Sequence, residues 1–129
     1  MRIEDITTYT IREAQRTGRE STAAAGSNGA WRALAEPGES GEVRIRIWHY
    51  STLMAVFIVT ATDDVDPDRI YLCEGWGSTS DVQGMNKVFR ALGVGIEYRA
   101  GEYRTRGEWA PIVRDRFGVN GERVPEWAV

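Results

Sequence analysis

The chain holds one cysteine, Cys73, and one histidine, His49. These two side chains have the most direct claim to nucleophilic or acid–base chemistry. A Cys–His pair needs a thiolate, a neighbouring base and a third group that orients the base. Both residues fall in strand-like segments, and His49 shares an alternating face with Val43, Ile45 and Ile47. A free cysteine in a strand usually behaves as a small buried hydrophobe. Both are therefore read as core residues, and no catalytic residue is assigned.

The acidic run Asp63-Asp64-Val65-Asp66-Pro67-Asp68 invites a calcium-loop reading. Counted from Asp64, carboxylates occupy loop positions 1, 3 and 5. Position 6 is then Arg69 where glycine is needed, and position 12 is Gly75 where a bidentate glutamate is needed. The spacing fails, so the run is expected to be a solvated hairpin loop, and no metal ligand is assigned. There is no Walker loop, no Gly-x-Gly-x-x-Gly and no Gly-x-Ser-x-Gly elbow, so no cofactor is expected. Ser78, Thr79 and Ser80 precede the clearest helix, where backbone amides at a positive helix end can hold an anion. Helix capping explains the same hydroxyls. Both readings stay open at this point.

The most informative surface is the outward face of a strand over 43–50, carrying Arg44, Arg46, Trp48 and Tyr50. Arg99, Arg104 and Arg106 extend it if their strands join the same sheet. Arginine with aromatics suits protein interfaces, where Trp, Tyr and Arg supply most hot spots, and it suits nucleic-acid backbones and bases. The interleaved Glu42, Glu97 and Glu102 and an isoelectric point near 5.2 weigh against nucleic acid. The plainer reading is a solvated face with Trp48 packed under the N-terminal region.

These residues need elements to position them. Val43 to Tyr50 alternates with period 2, the pattern of a half-buried strand. Leu53 to Val59 is continuously apolar and reads as a strand buried on both faces. Residues 70–76 form a third strand candidate, which in a hairpin with 53–60 places Cys73 near Val56 and Trp76 near Leu53. Ser80-Asp81-Val82-Gln83 has the capping-box form, followed by Val82, Met85, Val88 or Phe89, and Leu92 on one helical stripe. Gly93 closes that helix. Gly84 inside it weakens it and lets a neighbouring strand approach closely. Val94 to Arg99 and Glu102 to Arg106 read as two further strands about an Ala100-Gly101 turn. Pro111 opens a short helix through Phe117, and Asn120-Gly121 is a turn before an apolar tail. At the N-terminus, Thr7 to Ile11 favours a strand and Ile11 to Arg19 a helix. The sum predicts an α+β fold: a mostly antiparallel sheet of about four or five strands with one main packed helix over about 79–92.

Two Gly-rich stretches, Ser21–Gly29 and Glu36–Gly41, predict an N-terminal region over 1–41 set off from a sheet-plus-helix core over 42–106. Residues 107–129 form a short helix and tail, all within one domain of 129 residues. The formal net charge is −3, and 42% of residues are apolar, an ordinary balance for a globular protein. The seven-residue apolar run Leu53–Val59 is too short to cross a membrane as a helix, and the N-terminus lacks a signal-peptide pattern. One cysteine excludes an internal disulfide and fits a reducing cytosol, so a cytoplasmic location is expected. Fifteen arginines stand against one lysine, Lys87, spread over the whole chain. That bias marks a GC-rich genome more than a phosphate site.

His49-Tyr50-Ser51-Thr52-Leu53-Met54-Ala55-Val56, with Trp76-Gly77-Ser78-Thr79-Ser80 leading into a helix, resembles segments of small uncharacterised proteins of tailed phages that infect actinobacteria. The resemblance covers about residues 49–89. In that family a His follows the paired hydroxyls, where this chain has Gln83. The resemblance implies a phage origin and a two-strands-then-helix core, without an activity. Together these readings point to a small accessory protein, cytoplasmic in the host cell, that binds a host or phage protein without catalysis. Self-association through an edge strand is a companion reading. The alternatives are a small-ligand or anion-binding protein or enzyme with its site at 78–80, and nucleic-acid binding through the Arg–aromatic face.

Overall fold

A computed structural model describes residues 1–73, 77–99, 102–106 and 126–128. The chain begins with α1 (Ile3–Thr17), then runs through five strands: β1 (Ser21–Ala25), β2 (Trp31–Pro37), β3 (Val43–His49), β4 (Thr52–Val59) and β5 (Val65–Leu72). It continues into α2 (Thr79–Leu92) and the ribbon strands β6 (Ile96–Arg99) and β7 (Glu102–Thr105). The first five strands form one antiparallel meander in chain order, and β6–β7 form a separate two-stranded sheet. The expected α+β fold with a mostly antiparallel sheet is what the chain adopts.

The sheet is two-faced because its strands alternate. Val43, Ile45 and Ile47 of β3 lie beside Ala35 and Ala33 of β2 and beside Phe57 and Ala55 of β4. These residues are buried under both helices. The inner faces of β1 and β2 are lined by Ala23, Ala25, Ala33 and Ala35, so α1 can lie close against them. Helix α1 answers with Ile6, Thr7, Thr10, Ile11 and Ala14. Helix α2 contributes Met85, Val88 and Phe89, and Phe89 meets Phe57 edge to face at 6.3 Å between ring centroids.

Several expectations are corrected. Thr7 to Ile11 is helical, not extended: the Thr7 and Thr10 hydroxyls donate to the Ile3 and Ile6 carbonyls one turn back, which satisfies them inside the helix. The fold therefore has two packed helices, and residues 1–41 are not set off from the core but build two of its strands and a helix. Ser21–Gly29 contains β1, and Trp31–Pro37 forms a strand that the sequence reading passed over. Strand β5 starts at Val65, inside the segment read as an acidic loop. Helix α2 is capped two residues earlier than expected, by Ser78: its Oγ accepts from the Asp81 amide at 3.1 Å while Asp81 turns back to the Ser78 amide. The end of the 70–76 strand at Trp76, the Ala100-Gly101 turn, the Pro111 helix and the Asn120-Gly121 turn lie outside the described residues.

Candidate functional site

The β3–β4 hairpin turns through only Tyr50 and Ser51, since His49 pairs with Thr52. Two-residue hairpins demand left-handed backbone, which Asn and Gly supply cheaply. Here Tyr50 takes it, at φ 53°. A bulky side chain in that region is strained by roughly 1–2 kcal/mol. Tyr50 is nevertheless 66% exposed, one of three exposed large apolar side chains among the described residues.

What lies beneath Tyr50 holds it in place. Its amide donates to the Ala30 carbonyl at 2.7 Å. Its ring sits 4.6 Å from the His49 imidazole, which in turn stacks on Trp31 at 4.2 Å with the planes 10° apart. His49 is buried, and its Nδ1 is hydrogen-bonded to Asp81 Oδ1 at 2.5 Å. Asp81 is itself buried in the first turn of α2, where the helix end favours a negative charge. Trp31 lies flat against α2 at Gly84, where a Cβ would come within 2.0 Å of the indole. The close approach at Gly84 is made by the Trp31 side chain of β2 and not by a strand backbone as expected.

His49 and Asp81 are thus a positioning pair. The sequence reading put His49 on the apolar face, where it is, and found neither Asp81 nor Trp31 as its neighbours. A signal for Asp81 was present: Ser78-Thr79-Ser80-Asp81 is a capping box two residues upstream of the one noticed.

The expected Arg–aromatic face is divided. Trp48 is half-buried on the outer face, with the Arg32 guanidinium 5.4 Å from its ring centroid. Arg44 bonds both carboxylate oxygens of Glu36 and the Trp127 carbonyl, and Arg46 reaches the same carboxylate at 3.3 Å. Next to them Val56, Tyr71 and Cys73 are covered by Trp127 and Ala128. Arg44 and Arg46 therefore bind the chain to itself. Arg99 and Arg104 are exposed on the separate β6–β7 ribbon, paired across from Glu102 and Glu97, and do not extend the face. Arg106 donates its backbone amide to the Gly95 carbonyl.

Ser78, Thr79 and Ser80 are exposed, but the Ser78 hydroxyl is spent on the Asp81 amide and the Asp81 carboxylate already occupies the helix end. An incoming anion meets a negative charge there. Cys73 is fully buried: its amide donates to the Met54 carbonyl and its carbonyl accepts from the Tyr103 hydroxyl. Burial pushes the neighbouring Tyr71 phenol up to about 12, helped by Cys73.

The acidic run is used piecemeal. Asp63 accepts from Gln15, Asp64 from Thr62, and Asp66 from Arg69 and the Asp68 amide. Arg69 also reaches Glu42 at 2.6 Å, and the two carboxylates raise its pKa. For Asp66, burial opposes ionisation, but the Arg69 and Asp68 hydrogen bonds prevail and hold it below the usual carboxylate range. Among the described residues, no three His, Cys, Asp or Glu side chains come together to hold a metal ion, and no helix is long and apolar enough to cross a membrane.

What these elements build at the end of β3 is an exposed tyrosine against a buried, hydrogen-bonded aromatic stack on the inner face, with Trp48 and Arg32 on the opposite, outer face of the sheet. No family model, curated protein or solved structure matches the chain.

Proposed function

We propose that the protein acts by non-catalytic binding to another protein, and that the end of β3 is the docking tip, with Tyr50 at the turn as anchor and Trp48 and Arg32 contributing from the outer face of the same sheet end. The carrying observation is Tyr50: an aromatic ring exposed by two-thirds on a strained backbone that a smaller residue would adopt without cost. Within the chain the ring meets the His49 imidazole on one side only, and its exposed two-thirds is left for something outside the chain. Tyr, Trp and Arg are the residues that dominate protein hot spots, and Tyr and Trp offer large contact area at low conformational cost. The His49–Asp81 bond and the Trp31 stack fix the base of the anchor before binding, which lowers the ordering cost of association.

The partner class is a host or phage protein in an actinobacterial cell, on the strength of the family resemblance over about 49–89, with the cytoplasm as the setting. Nucleic acid gains less support, because Arg44 and Arg46 both engage the Glu36 carboxylate and Arg44 also bonds the Trp127 carbonyl. Affinity capture from host lysate with wild type and with Arg32→Glu/Trp48→Ala tests the reading. Binding by this face predicts that proteins held by the wild type are lost from the double variant while both melt alike. Identical captured sets reject it. Salt-dependent retention on heparin by the wild type alone shifts the assignment to nucleic acid.

A further inference from the structure

The two edges of the five-stranded sheet are built differently. Strand β5 carries Asp66, Pro67, Asp68 and Arg69, and its pairing with β4 is interrupted between Phe57 and Val59. Charge, proline and irregular pairing are the devices that keep an edge from recruiting another strand. Strand β1 reads Ser-Thr-Ala-Ala-Ala, with no charge and no proline, and its pairing with β2 is regular over all five residues. Among the described residues β1 has β2 as its only neighbour. Thr22 and Ala24 are exposed on the outer face, and Arg32 beside them in β2 is exposed as well. This edge is unguarded.

The helix above that edge presents a matching flank. Thr8, Arg12 and Gln15 of α1 line a cavity with Ala91 and Leu92 of α2, which fixes the α2-facing side of α1. Ile6, Thr10 and Ala14 face the sheet. At 100° per residue, Tyr9, Glu13 and Arg16 then fall on the remaining flank, on the β1 side. Tyr9 is 42% exposed. Glu13 and Arg16 pair with each other at 2.6 Å, so the flank carries one charge of each sign and is complementary to itself under a two-fold rotation.

We propose that the protein is a homodimer formed by antiparallel pairing of β1 with β1 of a second copy, centred on Ala23, giving a continuous ten-stranded sheet with the two α1 flanks side by side. In this register Thr22 lies opposite Ala24 of the second copy, and the inner faces of both sheets stay on the same side. The surface meets the proposed tip at Arg32, opposite Ala24, but the proposal rests on β1 and α1 and does not depend on Tyr50.

Sedimentation equilibrium at about 100 µM and low salt tests it, with Thr22→Lys/Ala24→Lys and Thr22→Glu/Ala24→Glu as variants. Both positions are exposed, so each variant keeps the fold, which circular dichroism melting checks. Wild type sediments at twice the mass of one chain. Each variant alone has its dimer weakened about tenfold or more by the like charges brought opposite each other, and an equimolar mixture of the two recovers the dimer mass. A monomeric wild type overturns the proposal, as do variants that dimerise like wild type. A mixture that stays monomeric overturns the antiparallel register.

Discussion

The residues that matter most at the candidate site are ones whose local cost is offset by neighbours. His49 and Asp81 are both buried, and neither would be tolerated inside without the other. His49→Ala removes the hydrogen bond and the middle of the aromatic stack. It is expected to cost roughly 3 kcal/mol, the lower end for breaking a buried pair, because Asp81 keeps the Ser78 amide. Urea unfolding read by circular dichroism checks the value. Tyr103→Phe, which removes the hydroxyl bonded to the Cys73 carbonyl, should cost about 1 kcal/mol by the same measurement. Titration of Tyr71 has a definite sign. Its folded pKa of about 12 lies above the usual 10 for a phenol, so the folded state holds the proton more tightly. The resulting stability is complete below pH 10 and is lost as pH rises from 10 through 12. Tyr71→Phe should flatten that alkaline fall in the urea midpoint.

At the scale of elements, helix–strand contact and edge ion pairs carry the predictions. Gly84→Ala improves helix propensity by about 1 kcal/mol, yet its Cβ would run into the Trp31 ring. Overpacking wins, and we expect a net loss of about 2 kcal/mol with weakened Trp31–His49 stacking, seen in the thermal melt and near-ultraviolet dichroism. The Asp66–Arg69–Glu42 group ties β5 to the start of β3. The depressed Asp66 pKa gives stability that is present above the usual carboxylate value and lost as pH falls through the folded value. Asp66→Asn should therefore lower the urea midpoint at pH 6, and its gap to wild type should narrow as pH falls below the usual carboxylate range. Strands β3 and β4 and the helix over 79–92 were legible in the sequence because their apolar spacing follows the element's own period. Strands β1 and β2 were not: Ala23, Ala25, Ala33 and Ala35 are small to let α1 come close, and alanine carries no strand signal. The threonines of α1 misled in the opposite direction, because β-branched residues favour strands until a hydroxyl finds the carbonyl one turn back. His49–Asp81 was hidden for a further reason. The two residues are far apart in sequence, and only the packing of α2 over β3 brings them together.

For the whole molecule, the sheet separates two roles. Its inner face is a conventional core beneath α1 and α2, and on its outer face Val56, Tyr71 and Cys73 pack with Trp127 and Ala128. The arginines read as a binding stripe turned out to serve that self-contact, which is why a surface inferred from strand alternation contracted to Arg32, Trp48 and Tyr50. Buried Cys73 should be silent to a thiol reagent in the native protein and should react fully on denaturation. The proposed docking role requires that Tyr50 be kept on a strained turn for a partner. Tyr50→Asn tests it most directly, because it separates stability from binding. The decisive measurement is partner capture by this variant beside wild type, with the melting temperature recorded for both. The account predicts an unchanged or higher melting temperature together with loss of the captured partner. Undiminished capture by Tyr50→Asn would contradict it.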